Sequence, residues 1–483
     1  MTPPRRAPRE HAAQEGDELN FAPSRLGASA LNAHAPAPAL KRRKTLANDN
    51  TLGSVPEDAP SPERAEDGGL PAGWRHQQLD VLCGLIRDQI QPSAAVGLPY
   101  VGLEHIDPGE PTLRRWGAPE DVRSAKTRFA PGDILYGKLR PYLDKSALAP
   151  FAGICSTDIL VLRAQADRAI AEFLVSAIHT KPFLEHAIST TAEVNHPRTS
   201  WNALKVHALA VPPLAEQRAI AGVLRTVQRG KEACEQVLAA TRQLKQSLLQ
   251  HLLTYGPVPF AKAAHVPLKQ TEIGEVPESW RPTTLGQVAD IGYGVQAAVA
   301  HLKDSSKGIP ILTNVNITRT GDLDLTTLRY CEVPQAKRGR FILKKGDVLF
   351  NWRSGSQEHV GKTALFTLDG EYTHSSFILR MRCSEAIRPQ FLVKYLHWLR
   401  SRRYFARTRQ QSSVNSVFNK SLSETIPVLL PPLEIQDEIA AQLSAVDAKL
   451  AAEEWRRSAL VALFQSLLHH LMTGQVRLPE FAK

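Results

Sequence analysis

Short motifs with catalytic residue types occur in this sequence, but their spacing does not match the chemistry that they suggest. Gly361-Lys362-Thr363 looks like the end of a phosphate-binding loop, which also needs a glycine separated from the Gly-Lys pair by four residues. That position is Ser356. A turn in which Lys362 faces solvent or a phosphate is therefore favoured over a nucleotide-binding site.

Motifs for methyl transfer and hydrolysis are missing from the sequence as well. A methyltransferase that acts on an exocyclic amine needs an Asn/Asp-Pro-Pro-aromatic segment to hold the flipped base, whereas both Pro-Pro pairs here follow an apolar residue, Val211 and Leu430. No Glu-x-Lys nuclease element and no Gly-x-Ser-x-Gly nucleophile turn occur. His469 and His470 are adjacent and would point to different faces of a helix. We expect no catalytic residue and no metal site in this chain.

The charge of the chain favours a polyanionic partner. Lys and Arg number 59 against 48 Asp and Glu in 483 residues, which gives a formal net charge of +11. Nucleic acid is the commonest such partner, because Lys and Arg neutralise its phosphates. The alternative at this point is a soluble protein that is merely basic.

Cysteine usage and hydropathy predict a cytoplasmic protein. The five cysteines are scattered and form no Cys-x-x-Cys pair, which argues against disulfides and zinc. No apolar run approaches the roughly 20 residues that span a bilayer, so we expect no membrane partner. The N-terminus lacks the apolar core of a signal peptide. Residues 1–69 are rich in Pro, Ala and charge, which predicts disorder.

An internal repeat is the most informative feature of the sequence. One unit begins near Trp74 and the other near Trp280, and each contains a strand led by Gly-Asp, at 132–133 and 346–347. Each unit closes with Pro-Pro-Leu and a helical segment. The predicted division is a disordered extension (1–69), a first domain (70–210), a first long helix (211–256), a linker (257–275), a second domain (276–429), a second long helix (430–474) and a tail (475–483).

The two long helices match in length and carry heptad repeats. The double prolines and the leucine-rich helix ends share one offset between the copies, whereas the Gly-Asp strands do not. Apolar residues at heptad spacing predict that the helices pair as a coiled coil, interrupted by polar residues around Lys231 and Glu453. The alternative is that each helix packs on its own domain. The positions predicted to pack are Ile220, Leu224, Val227, Leu238, Leu248 and Leu252 in the first helix, and Ile439, Leu443, Val446, Leu450, Leu460, Phe464, Leu467 and Leu471 in the second.

This duplicated layout resembles the specificity subunit of Type I restriction–modification enzymes. The family's closing motif, Pro-Pro-Leu-x-Glu-Gln-x-x-Ile, is complete at 212–220 and is repeated at 431–439 with Ile435 in place of the glutamate, so that the cap of this second helix is expected to be altered. The tryptophan openings, the Gly-Asp strands and the Leu-Leu-x-His-Leu helix ends also look like the family. The resemblance covers residues 70–478.

The resemblance implies an α+β fold with two α/β target recognition domains, each followed by a spacer helix, and an antiparallel coiled coil between the helices. Each domain would read one half of a split, asymmetric sequence in double-stranded DNA. Two modification subunits would bind along the helices and methylate adenine, and restriction subunits would translocate and cut. No cofactor would be bound by this chain, and S-adenosylmethionine, ATP and Mg²⁺ would be held by those partners.

Candidate DNA contacts follow from residue type, because Lys and Arg bind phosphates and Arg, Lys, Asn and Gln bind base edges. Loops around the Gly-Asp strands are the expected location. The candidates are Lys138, Arg140, Lys145, Asn195 and Arg198 in the first domain, and Asn351, Arg353, Gln357, Lys362, Arg409, Gln411, Asn415 and Lys420 in the second.

Two other classes of function are compatible with parts of this pattern. A coiled-coil scaffold that binds only protein would also need the long helices, and a fragment of a fused restriction–modification enzyme would share the repeat. The missing methyltransferase motif argues against the fragment, and the net charge argues against the scaffold.

Overall fold

The computed structural model describes residues 69–191, 195–296, 308–354, 359–408, 410–411 and 416–482. The predicted disorder of residues 1–69 falls almost entirely outside these ranges. Along the described chain, no helix is both long enough and apolar enough to cross a membrane.

The first domain contains the strands β1 (Arg75–Gln78), β2 (Cys83–Ile86), β3 (Gln89–Ile90), β4 (Tyr100–Val101), β5 (Lys126–Phe129), β6 (Ile134–Gly137), β7 (Ser146–Leu148), β8 (Gly153–Cys155), β9 (Ile159–Ala164) and β10 (Ala208–Val211), with the helices α1 (Leu79–Leu82), α2 (Ala171–Ile178), α3 (Lys181–Ser189) and α4 (Trp201–Leu204).

After the first long helix, α5 (Leu214–Tyr255), the second domain follows the same plan. Its strands are β11 (Leu268–Thr271), β12 (Gly274–Pro277), β13 (Arg281–Thr284), β14 (Ala289–Tyr293), β15 (Ile309–Leu312), β16 (Arg329–Cys331), β17 (Val348–Asn351), β18 (Arg353–Ser354), β19 (Thr363–Leu365), β20 (Thr373–His374), β21 (Ile378–Cys383), β22 (Gln410–Gln411), β23 (Ser416–Val417) and β24 (Pro427–Leu430). Its helices are α6 (Leu285–Val288), α7 (Arg338–Phe341), α8 (Pro389–Ser401), α9 (Tyr404–Thr408) and α10 (Lys420–Glu424), and the second long helix is α11 (Leu433–Met472).

The sheets repeat between the domains. An antiparallel sheet in the order β2-β9-β6-β7 corresponds to β14-β21-β17-β19. A second sheet contains one parallel pair in each copy, β4 with β8 and β15 with β20. In both domains the strand that follows the opening tryptophan pairs with the last strand, β1 with β10 and β13 with β24, so this strand lies beside the start of the following long helix. The segment 257–275, interpreted as a linker, contains a short 3-10 helix and strand β11.

The Gly-Asp motif has a structural role in both domains. Gly132 has a φ of 87°, in the left-handed region that favours glycine. Asp133, which is 1% exposed, accepts two hydrogen bonds from the Arg163 guanidinium, at 2.7 and 2.8 Å. Asp347 and Arg382 repeat this bidentate pair at 2.7 Å. The motif therefore joins β6 to β9, and β17 to β21, rather than facing a ligand.

The glutamine of the Pro-Pro-Leu motif fastens each long helix to its domain. Gln217 Nε2 donates to the backbone oxygens of Arg168 and Pro212 at 3.0 and 2.9 Å, and its Oε1 accepts from the backbone N–H of Ile170 at 2.9 Å. Gln436, 0% exposed, makes three equivalent bonds in the second copy. Both helices therefore begin at the same place relative to their domains.

The motif's glutamate is not a helix cap. Glu216 is 1% exposed, accepts a hydrogen bond from Trp74 Nε1 at 3.1 Å, and pairs with both Nε and Nη2 of Arg477 at 2.9 and 2.8 Å. It thereby joins the opening of the first domain to the segment after α11. The expectation that Ile435 alters the second helix cap is wrong, because neither helix has a side-chain cap, and Ile435 packs instead against the apolar cluster that contains Trp280.

The two long helices pack against each other and run antiparallel, as predicted. Lys231 Nζ lies 4.8 Å from the centre of the Phe464 ring, and Lys245 Nζ lies 2.5 Å from Asp447 Oδ1. Residue numbers therefore rise along α5 while they fall along α11. Near the middle of the pair, Cys234 Sγ donates to the backbone oxygen of Glu453 at 3.2 Å, although these residues occupy equivalent positions 219 apart. Equivalent residues meet only on a two-fold axis, so a pseudo-two-fold axis relates the two halves at this point.

The ends of the helix pair are built into the domain cores. The first-domain core includes residues from the start of α5 and the end of α11, and the second-domain core includes the start of α11 and the end of α5. Helix pairing and domain packing, treated as alternatives above, therefore occur together. Of the predicted packing positions, Ile220, Leu224, Leu238, Leu252, Ile439, Leu443, Phe464 and Leu471 are buried, and Val227, Leu248, Val446, Leu450, Leu460 and Leu467 are partly buried.

Candidate nucleic-acid interface

One basic surface of the first domain is formed by the loops after β6 and before α4. The backbone N–H of Arg140 donates to the oxygen of Pro197 at 2.7 Å, and an isolated bridge joins Leu139 to Arg198, so the two loops lie side by side. Arg140 is exposed and has a φ of 53°, a strained conformation for a residue other than glycine. Exposed cationic side chains on a loop whose backbone is fixed by hydrogen bonds to a neighbouring loop are suited to ligand contact.

The other first-domain candidates are divided between this surface and the interior. Lys138 and Asn195 belong to the same two loops, Lys138 half-buried and Asn195 exposed. The guanidinium of Arg198 binds Asp158 Oδ1 at 3.2 Å. Lys145 is partly buried and donates to the backbone oxygen of Leu103 at 2.6 Å, so its ammonium group is used inside the domain.

Two second-domain predictions are wrong. Asn351 is 0% exposed and donates to the backbone oxygen of His359 at 2.8 Å. Lys362 is 6% exposed and donates to the backbone oxygens of Asn314 and Ile317 at 2.7 and 2.5 Å. Burial lowers the pKa of Lys362, and nearby Arg400 and Arg319 lower it further. Lys362 therefore holds the loop after β15, as Lys145 holds the loop after β4, and neither Asn351 nor Lys362 faces solvent.

The remaining second-domain candidates differ in burial, pairing and location. Arg353 is partly buried and lies at the edge of a cleft. Lys420 is partly exposed, and its ammonium group pairs with Glu424 at 3.5 Å. Gln411 belongs to strand β22. Gln357, Arg409 and Asn415 lie outside the described residues.

The cleft beside Arg353 has a volume of about 830 Å³. Aromatic side chains line part of it, with Tyr293 and Trp352 in an edge-to-face pair at 5.3 Å. The exposed side chains of Lys337 and Arg340 line it as well. Sequence reasoning missed these two cations, although the run Lys337-Arg338-Gly339-Arg340 between apolar segments is a signal that could have revealed them.

A hydrogen-bonded cluster of Ser, His and Asp in the first domain does not form an accessible active site. His179 bonds through Nδ1 to Asp144 Oδ1 at 2.8 Å and through Nε2 to Ser146 Oγ at 2.9 Å, the connectivity of a Ser-His-Asp triad. Ser146 is 0% exposed, so no substrate can reach its hydroxyl. The cluster instead braces the strained loop that carries Arg140 and Asp144. No group of His, Cys, Asp and Glu able to hold a metal ion occurs in the described ranges.

The sequence and fold are similar to those of known proteins. Residues 277–461 match the family model described as Type I restriction modification DNA specificity domain. The specificity subunit of the type I restriction enzyme EcoKI from Escherichia coli K12 is 22% identical over 452 residues, which cover 85% of this chain and 90% of that protein. The MjaVIII specificity subunit of Methanocaldococcus jannaschii is 22% identical over 56% of this chain and 62% of its own length. Over most of its length the chain is similar to Type I restriction–modification specificity subunits, and its residues 277–461 match their DNA specificity domain.

Solved structures confirm the fold of this chain. The S subunit of a Type I system from M. genitalium aligns with a TM-score of 0.55 at 14% identity, covering 85% of this chain and 99% of that one. A chain from a study of complex assembly in the type I R-M system aligns with a TM-score of 0.51 at 22% identity, over 84% and 99%. The α+β fold with two domains and a paired helical spacer, predicted from the repeat, is therefore confirmed.

Ion pairs hold the first domain on the middle of the helix pair. Glu110 Oε1 accepts from Lys231 Nζ at 2.8 Å, and Glu110 Oε2 accepts from Gln228 Nε2 at 2.8 Å. Arg114, four residues on, pairs with Glu235 at 2.5 Å. Lys231 is 3% exposed. This polar interruption of the heptads is therefore the docking point for a loop of the first domain.

The second domain is held at the corresponding place on the other helix. Lys394 of α8 pairs with Asp447 Oδ2 at 2.5 Å, and Lys245 of α5 pairs with Asp447 Oδ1. The lysine side chains hold the pKa of Asp447 below its usual range, against the opposing effect of burial. Both domains are thus fixed to the helices at two levels, by the shared core and by these ion pairs.

Proposed function

We infer that this chain reads a bipartite, asymmetric sequence in double-stranded DNA, with one half-site for each domain. The observation that carries the inference is the pseudo-two-fold arrangement of two domains with one scaffold but different exposed loops. A pseudo-two-fold pair of readers fits two half-sites on one duplex, because half-site spacing mirrors the spacing of the domains. Different loop residues then make the two half-sites different.

The helix pair would set the distance between the half-sites. Helices of 42 and 40 residues span about 60 Å, which exceeds the 34–36 Å of one helical turn of DNA. Because both ends of the pair are buried in domain cores, a change in helix length must move the domains.

Catalysis would lie on partner subunits, and the exposed faces of the helices support two copies of one partner. Ala233, Ala240 and Leu244 form an exposed stripe on α5, and Ala452, Ala459 and Leu463 repeat it at equivalent positions of α11. Trp455, 75% exposed, lies in the second stripe. Exposed apolar stripes on otherwise charged helices mark protein-binding surfaces. Two modification subunits would occupy them and supply S-adenosylmethionine-dependent adenine methylation, and restriction subunits would add ATP- and Mg²⁺-dependent cleavage.

A paired insertion tests this function. Four residues inserted at Ala239–Ala240 of α5, with four at the facing position near Ala452 of α11, lengthen the pair by about 6 Å. Methylome sequencing of cells that carry the complex should then show the same half-sites with a gap one or two base pairs longer. The same insertion at the exposed turn of Gly370 is the control and should leave the gap unchanged.

Other results of this experiment would contradict the proposal. An unchanged gap after the paired insertion would show that the helices do not set the spacing. If the wild-type complex methylates no defined sequence, DNA reading is wrong and a scaffold that binds only protein becomes the better interpretation.

A further inference from the structure

The cleft of the second domain contains an arginine with one buried and unpaired hydrogen-bond donor. Arg353 lies on β18 at the cleft edge, and its Nε is buried without a hydrogen-bond partner in the described part of the chain. A buried donor without a partner is costly, so Arg353 would gain from an acceptor supplied from outside the described chain.

The orientation of Arg353 is fixed by its surroundings. Its guanidinium carbon lies 5.5 Å from the centre of the Phe377 ring, a cation–π contact. The preceding Trp352 is held by a hydrogen bond from Nε1 to the backbone oxygen of Ser376 at 2.6 Å and by its contact with Tyr293. A planar guanidinium held in one orientation presents its donors as a fork rather than as a mobile charge.

Charge in the cleft favours a polyanion. Lys337, Arg340 and Arg353 line it with one opposing carboxylate, Glu332. Lys337 and Arg340 are exposed, which suits phosphate contact, whereas Arg353 is recessed among aromatic rings. This division matches duplex recognition, in which outer cations bind the backbone and inner groups bind base edges.

We propose that Arg353 reads a guanine in the half-site of the second domain, with Lys337 and Arg340 binding the flanking phosphates. An arginine fork donates to both O6 and N7 of guanine in the major groove, and no other base offers this pair of acceptors. The inference rests on the proposed function, because it assigns a base and three residues to one of the two readers.

The first domain differs at the corresponding position. The bridge between Leu139 and Arg198 corresponds to the pairing of Arg353 with Val417, so the arginine of the first domain comes from the opposite strand. Leucine at the position of Arg353 cannot donate to guanine. The two domains therefore carry an arginine on opposite strands of this pair, so substitution of Arg353 should change the guanine preference of the second half-site alone.

Selection from a randomised duplex library tests the proposal. The full-length chain, assembled with its modification subunits, is allowed to bind the library, and the retained duplexes are sequenced. The Arg353→Lys variant keeps the charge but loses the fork, and it should lower the preference for one guanine by roughly 5- to 150-fold while the first half-site is unchanged. Arg353→Ala should have the same effect with weaker overall binding. Lys337→Ala and Arg340→Ala should weaken binding to all sequences and each reduce the salt dependence by about one unit of slope.

Controls separate this inference from the proposed function. Arg388→Ala, the same kind of substitution at an exposed pair with Asp437 outside the cleft, should leave both half-sites unchanged. An unchanged guanine preference in both Arg353 variants, or a change confined to the first half-site, overturns the assignment while bipartite reading stands. A wild-type complex that selects no sequence overturns the proposed function itself. Thermal unfolding of each variant excludes misfolding, and a folded Arg353→Lys protein without any half-site selection also contradicts the specific role.

Discussion

The two domains dock on equivalent positions of the helix pair with opposite charges. The first domain brings an acid, Glu110, to Gln228 and Lys231, whereas the second brings a base, Lys394, to Asp447. Gln228 and Asp447 are equivalent positions of the two helices. The scaffold is therefore repeated, but the electrostatics of docking are not.

This difference shows which features the duplication keeps and which it varies. The glutamines of the Pro-Pro-Leu motif and the Asp–Arg pairs of the Gly-Asp strands are the same in both halves, because they build the domain and begin the helix. The docking pairs and the exposed loops differ. Opposite charges at equivalent places also disfavour docking of a domain on the wrong helix, since like charges would then meet.

The largest expected effect comes from breaking the docking pair of the first domain. Glu110→Ala leaves the buried ammonium group of Lys231 without its carboxylate, which should lower the free energy of unfolding by about 3 kcal/mol. Adding Lys231→Met removes the uncompensated charge and should restore most of the loss. Denaturant unfolding of the full chain measures both. A single variant as stable as wild type would show that the ion pair does not hold this domain.

A smaller loss of stability, equal for the two residues, is expected when the glutamine of either Pro-Pro-Leu motif is replaced. Gln217→Ala and Gln436→Ala each remove a side chain that bonds three backbone groups, and each should cost about 2 kcal/mol. Gln243→Ala, at an exposed position of α5, is the matched control and should be neutral. Clearly unequal losses at 217 and 436 would contradict the equivalence of the two helix starts.

Acid should weaken the second domain through His374. Burial, with a smaller contribution from Arg380, lowers the pKa of His374 to about 4, from an ordinary value near 6.5. Between these pH values the unfolded chain binds a proton that the folded domain does not, so stability is highest above about pH 6.5 and falls as pH drops toward 4. Burial lowers the pKa of His397 in the same domain to about 4 as well, so each of the two histidines should contribute a slope that approaches about 1.4 kcal/mol per pH unit.

Hydrogen exchange resolved by domain measures this acid sensitivity. Peptides of the second domain should lose protection between pH 6.5 and pH 4.5. His374→Leu, which removes one of the two buried histidines, should reduce that dependence by about half. Acid-induced loss that is unchanged in this variant would assign the sensitivity to another residue.

The smallest effect on stability is expected for a solvent-exposed ion pair between the two long helices. Arg242 pairs with Glu454 at 2.9 Å, and both side chains are more than half exposed. Arg242→Ala should change stability by less than about 0.5 kcal/mol, because exposed ion pairs contribute little. A loss as large as that of Glu110→Ala would mean that the two domains are held mainly by the helix crossing rather than by their separate docking pairs.

The amino-acid sequence by itself determined the architecture and the resemblance to a known family. The repeat, the matched helix ends and the Pro-Pro-Leu motifs predicted two domains on two paired helices, because periodicity and turn residues are local signals. Residue type also indicated where cations could meet DNA, and Arg140 and Arg353 do lie at a surface or cleft edge.

Only the tertiary structure decided which of these polar residues face outward. Lys145 and Lys362 look as suitable for a phosphate as Lys337, yet loops 42 and 45 to 48 residues earlier in the chain use their ammonium groups. In the sequence, Lys231 is a polar residue that interrupts the heptad pattern of the coiled coil. In the structure, Glu110, which is 121 residues away in the chain, accepts a hydrogen bond from its ammonium group. Burial and ion pairing depend on segments that are distant in sequence, so no local pattern could have distinguished an internal lysine from one that is free to bind DNA.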